Sequence, residues 1–130
     1  MAATYLDSSA IVKLAVREPE TDALRRHLRR RHTLISSALA RTEVIRALLP
    51  GGEGAVVAGQ RVLSRIGLVR INDEVLNRAG VLLPVDLRSL DAIHLATAGR
   101  IGRDLGEIVT YDQRMALAAQ LMGHKVSSPS

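Results

Sequence analysis

The 130 residues are 47% apolar and 24% charged, with 18 Lys and Arg against 13 Asp and Glu, a formal net charge of +5. The absence of cysteine excludes a disulfide framework, a thiolate zinc site and a cysteine nucleophile, and two Tyr with no Phe or Trp leave the core to Leu, Val, Ile and Ala. A single domain follows from the length, and its basic balance suits a polyanion such as nucleic acid.

The opening run Ala3-Thr4-Tyr5-Leu6 predicts a strand over 3–6, and Asp7 stands just past its end before a helix over 9–16. This opening lacks a basic segment followed by a long apolar one, and no uncharged stretch approaches the roughly 20 residues of a membrane helix, so the expected compartment is the cytoplasm. A second helix is expected over 20–31, with Pro19 able to occupy its first turn. Its acids Glu18, Glu20 and Asp22 and its basic run Arg25 to Arg31 suit the two ends of the helix dipole and read as a solvated face, with RNA contact as the alternative.

A strand over 33–35 leads into a helix over 37–49 that carries Glu43; Arg46, three positions on, offers it an ordinary surface partner. Pro50-Gly51-Gly52 stops that helix, and a further helix is expected over 55–65. A strand over 68–71 and a helix over 74–83 follow, with Asp73 read as a structural cap. The helix expected over 90–101 is apolar around most of its circumference and therefore buried. Asp91 shares a face with Leu95 and Ala98, which would desolvate its carboxylate unless a cation or donors meet it. The plainer alternative is that Ser89 caps this helix and Asp91 complements its positive end. His94 reads as a satisfied core histidine, since no His-x-x-x-His zinc spacing is present.

A strand over 108–111 ends at Asp112, a helix over 113–122 closes at Gly123, and a last strand covers 124–126. Residues 1–126 thus form one domain and 127–130 a short frayed tail. Alternating strands and helices argue for a parallel sheet of about five strands with helices on both faces, an α/β fold that binds ligands beyond the carboxyl ends of its strands. Asp7 and Asp112 fall there, although each is equally suited to cap the helix that follows.

The segment Tyr5-Leu6-Asp7-Ser8-Ser9-Ala10 resembles the opening of a PIN domain, and three further landmarks follow in order: Thr42-Glu43-Val44, Leu90-Asp91-Ala92-Ile93-His94-Leu95-Ala96 and Thr110-Tyr111-Asp112. The length and the first and third segments are most similar to VapC toxins, the ribonuclease partners of bacterial toxin–antitoxin pairs. That resemblance implies that Asp7, Glu43, Asp91 and Asp112 gather at one end of the sheet and bind Mg2+ or Mn2+, with Asp7 and Asp91 as direct ligands. Glu43 and Asp112 would act through water or a second ion, and Ser8 and Thr110 would hold the carboxylates. It further implies cleavage of single-stranded or looped RNA by a metal-activated water, an antitoxin whose tail covers the acids, and a homodimer. Hard divalent cations are the natural neutralisers of clustered carboxylates where His and Cys are not available. The rivals are a non-catalytic PIN-like binding module, whose acids are only caps and pairs, and a phospho-receiver domain, which shares the strand-end Asp.

Overall fold

In the computed structural model, which describes residues 2–130, strands and helices alternate: β1 Ala3–Leu6, α1 Ser8–Ala15, α2 Thr21–Leu28, β2 Leu34–Ser37, α3 Ala40–Leu48, α4 Glu53–Leu63, β3 Gly67–Val69, α5 Asp73–Gly80, α6 Ser89–Ile101, β4 Leu105–Val109, α7 Gln113–Leu121 and β5 Val126–Ser127. All four strand pairings are parallel, in the order β3-β2-β1-β4-β5. The chain moves outward from β1 to β3 and then resumes at β4 on the other side of β1. The order therefore reverses between β1 and β4, the kind of point at which open parallel sheets bind ligands, and Asp7 and Asp112 stand just past those two strands. It also differs from the 2-1-3-4-5 order of receiver-type folds, which removes that rival.

The period-2 alternation of the strands divides the core into two layers. Leu6 and Val109 point to a layer filled by Ala10, Ile11, Leu24, Val44 and Leu48 from α1, α2 and α3. Tyr5 and Ile108, one residue earlier on each strand, point to the other face, against Leu95 and Ala98 of α6 and Met115, Ala118 and Ala119 of α7. Gly59 lets α3 and α4 approach closely, since a Cβ there would stand 2.5 Å from Leu48 Cδ1.

Several boundaries differ from the sequence expectation, each for a physical reason. Ser36 and Ser37 extend β2, because both are buried and register with Leu68 and Val69 of β3; α3 begins only at Ala40. Leu105-Gly106-Glu107 lengthens β4 toward its start, a stretch whose glycine and acid hid the strand pattern. Asn72 rather than Asp73 caps α5, its side chain accepting from the Val75 N–H at 3.0 Å. Ser89 does not cap α6; it is the first helical residue, after Arg88. Residues 127–129 are tied to the domain: Ser127 pairs in β5, Ser128 Oγ donates to the Thr110 carbonyl at 2.5 Å, and Tyr111 Oη donates to the Pro129 carbonyl at 2.7 Å.

The basic run from Arg25 to Arg31 is partly structural. Glu107, only 3% exposed, forms an ion pair with Arg31 Nε at 3.0 Å and lies 2.5 Å from His27 Nε2. Burial pushes the Glu107 carboxyl up, but the His27 and Ser127 bonds and the charges of His27 and Arg31 outweigh it and hold the group below its ordinary value. Among the described residues, no helix is long and apolar enough to cross a membrane.

Candidate active site

Asp7 leaves β1 with an extended backbone and caps α1, its Oδ1 accepting from the Ala10 N–H at 3.1 Å. The same oxygen accepts from Ser9 Oγ at 2.6 Å, and Oδ2 accepts from Thr110 Oγ1 at 2.5 Å. Both hydroxyls reach back to β4: Ser9 Oγ accepts from the Tyr111 N–H at 3.0 Å, and Thr110 Oγ1 accepts from the Asp112 N–H at 3.1 Å. Each hydroxyl donates to Asp7 and accepts from the strand end, so the termini of β1 and β4 are stitched through one carboxylate. Burial raises the Asp7 carboxyl above the ordinary Asp value; the Ser9, Thr110 and Ala10 bonds and the His94 charge only moderate that rise.

Asp112 caps α7, its Oδ1 accepting from the N–H groups of Arg114 at 2.9 Å and Met115 at 3.2 Å. The cap and site readings of Asp7 and Asp112 are therefore compatible, because a strand-end cap stands at the carboxyl edge of the sheet.

Glu43, on the first turn of α3, takes no ion pair from Arg46. His94 Nε2 lies 2.6 Å from its Oε1, and Ser8 Oγ donates to the same oxygen at 2.7 Å. On the other side of the ring, Tyr5 Oη stands 2.7 Å from His94 Nδ1. A carboxylate only accepts, so Nε2 carries the proton that faces Glu43, and Nδ1 shares its hydrogen bond with the phenol, which burial keeps protonated. Burial pushes Glu43 up, yet the His94 and Ser8 bonds and the His94 charge more than offset it, and the carboxyl sits below its ordinary value. His94 is thus a satisfied core histidine that also fixes an acid of the rim. Ser8, expected to hold a carboxylate of the cluster, donates to Glu43, and Ser9, which the sequence did not single out, donates to Asp7; the signal available in sequence was the pair of adjacent hydroxyls at the start of a helix.

Asp91, half-buried on the first turn of α6, receives no hydrogen bond or ion pair among the described residues. Burial raises its carboxyl, and the charges of Asp112, Asp7 and Glu43 raise it further against the opposing effect of His94. The four acids therefore share one electrostatic neighbourhood although they come from four separate elements. Asp91 lines a cleft of about 220 Å³ with Asp86, Leu87, Arg88, Arg114 and Leu117.

Among the described residues, no three Asp, Glu or His side chains converge closely enough to hold an ion as they stand. The donor chemistry nevertheless fits Mg2+ or Mn2+: an all-carboxylate rim with one uncompensated acid, whose mutual repulsion a hard cation relieves.

The sequence model of the family described as PIN domain matches residues 4–121. Ribonuclease VapC46 of Mycobacterium tuberculosis is 64% identical over 130 residues, covering 100% of both chains. Ribonuclease VapC35 of the same species is 40% identical, covering 96% of each. Among solved structures, the sarcin-ricin loop cleaving toxin VapC20 of Mycobacterium tuberculosis superposes with a TM-score of 0.74 at 17% identity, covering 88% of this chain and 94% of the other. A toxin–antitoxin complex from Klebsiella pneumoniae gives 0.71 at 19%, covering 98% of both. These two structural likenesses bear on the fold alone.

Proposed function

The chain belongs to the PIN-domain family and, within it, to the VapC ribonuclease toxins, and from that premise we propose that it is a divalent-metal-dependent endoribonuclease cleaving single-stranded or looped segments of structured RNA. The observation that carries this reading is Asp91, a partly buried carboxylate that no donor satisfies, beside three other acids. Such a group costs folding energy unless a cation meets it. We further propose that the protein acts in the cytoplasm as a homodimer. An antitoxin controls it, presenting an Arg from its tail to the acids, for which a guanidinium is a suitable partner.

Asp7 and Asp91 are the direct ligands in this reading, with Glu43 and Asp112 completing the rim. Ser9 and Thr110 hold Asp7 in one orientation, and His94 with Ser8 holds Glu43 ionised. When bound, Mg2+ or Mn2+ supplies Lewis-acid charge to the scissile phosphate and readies an attacking water, so that the products carry 5′-phosphate and 3′-hydroxyl ends.

The test is incubation of the purified protein with structured RNAs in Mg2+ or Mn2+, with and without chelator, beside Asp7→Asn and Asp91→Asn. Cleavage that stops with chelator and in both variants supports the proposal; cleavage surviving both substitutions overturns the site. One observation favours the binding-module reading: Asp7, Glu43 and Asp112 all have structural partners. That reading gains if the wild type binds RNA and cleaves none.

A further inference from the structure

The nuclease reading leaves two cations beside Asp91 without a task. Arg88, immediately before α6, and Arg114, in the first turn of α7, line the same 220 Å³ cleft as Asp91. Both are exposed, and neither is paired with an acid among the described residues, although Asp86 and Asp91 share the cleft. Much of the other basic charge is committed or remote: Arg31 and Lys125 face Glu107, Lys13 faces Glu18 and Glu20, Arg17 faces Asp22, and Arg65 lines a separate cleft with Arg25, Arg29 and Leu34, at the amino-terminal edge of the sheet.

A carboxylate rim repels RNA. A divalent ion held at the acids would offset part of their charge and engage the scissile phosphate, but not the flanking phosphates, which need cations of their own at the rim. Two guanidiniums lining the cleft, one before α6 and one from α7, answer that need, since the planar fork of Arg matches a phosphate bidentately. Leu87 and Leu117 give the cleft apolar walls against which ribose and base can lie.

We propose that Arg88 and Arg114 form a clamp for the RNA phosphates flanking the scissile one, making the cleft beside Asp91 the nucleotide subsite that sets the strand in register. This inference rests on the nuclease reading and deepens it. Arg88 and Arg114 are positioning residues of the substrate, distinct from the acids at which the chemistry occurs.

The test measures binding of a fluorescein-labelled single-stranded RNA to the whole protein in chelator, where cleavage is halted, across a range of salt. Each phosphate contact on a single strand contributes a slope of about −0.7 to log K against log salt. Arg88→Ala and Arg114→Ala should each flatten that slope by about 0.7 and weaken binding about fivefold at 0.1 M salt, the ratio such a slope gives between 1 M and 0.1 M. Arg88→Lys and Arg114→Lys should keep the slope, and Arg65→Ala should keep both slope and affinity. Wild-type slope and affinity in both alanine variants, from a protein that still cleaves RNA, overturn the clamp alone. Equal flattening by Arg65→Ala also overturns it, since diffuse charge then explains the binding. A wild type that neither binds nor cleaves RNA overturns the nuclease reading and the clamp with it.

Discussion

His94 Nε2 lies 2.6 Å from Glu43 Oε1, a bond between α6 and α3 that spans 51 positions of sequence and holds an acid of the rim in place. Tyr5 reaches the other nitrogen of the same ring, so β1, α3 and α6 meet at one imidazole. His94→Ala leaves Tyr5 Oη buried without this partner and frees Glu43, and unfolding by denaturant should show a loss of about 1–3 kcal/mol. Tyr5→Phe removes only the outer bond and should cost about 1 kcal/mol while retaining most cleavage. Equal losses of cleavage in the two variants contradict a positioning role for His94.

Thr110 provides a sharper case, because its hydroxyl donates to Asp7 and accepts from the Asp112 backbone. Thr110→Val keeps the shape and removes both bonds. Cleavage should fall by more than about tenfold, the scale of a lost charge-assisted hydrogen bond of 1.5–3 kcal/mol, whereas Thr110→Ser should retain it. Rate measurements on the two variants decide the point, and a Val variant as active as wild type refutes it.

The acids predict opposite pH dependences. Asp7 and Asp91 have carboxyls raised above their ordinary values, so the stability their protonated forms contribute is present at low pH and lost as pH rises through the folded values. Glu43 and Glu107 are lowered, so the stability they contribute is present above the ordinary Glu range and lost as pH falls through their folded values. In chelator at neutral pH, Asp91→Asn should therefore melt above wild type, because a neutral amide replaces an uncompensated charge with no bond to lose. Adding Mg2+ should raise the wild-type midpoint and leave that of Asp91→Asn nearly unchanged. A melting scan with both proteins tests each half; a variant less stable than wild type in chelator contradicts the first.

The packing of α3 on α4 supplies a prediction remote from the rim. In Gly59→Ala the new Cβ would meet Leu48 Cδ1 at 2.5 Å and Ile45 Cδ1 at 3.3 Å. Leu48 must rotate its Cδ1 aside, a cost that the gain of about 1 kcal/mol from Ala in a helix interior partly offsets, so the net loss read from denaturant midpoints should be about 1 kcal/mol, with cleavage of the folded fraction unchanged.

The elements are legible in the sequence where pattern and burial agree, and less so where pairing overrides pattern. Ser36 and Ser37 look like a helix start, and only their register with β3 makes them strand. Asp73 looks like a cap, but Asn72, one residue earlier, has the extended backbone that a cap needs. The residues 127–130 read as frayed because no local signal shows that Ser128 and Pro129 meet Thr110 and Tyr111.

The alternating pattern, the strand-end acids and the apolar helix around Asp91 are local properties, and from them the sequence alone determined an α/β sheet with Asp7 and Asp112 at its carboxyl edge. The tertiary structure decided the rest: the reversal of strand order between β1 and β4, the assignment of Ser8 to Glu43 and Ser9 to Asp7, the His94 bond, and the unpaired cations beside Asp91. The Ser8, His94 and Thr110 bonds to these acids join residues 35 to 103 positions apart in the chain. Periodicity cannot encode such meetings, because they are set by how the two helical layers settle on the sheet.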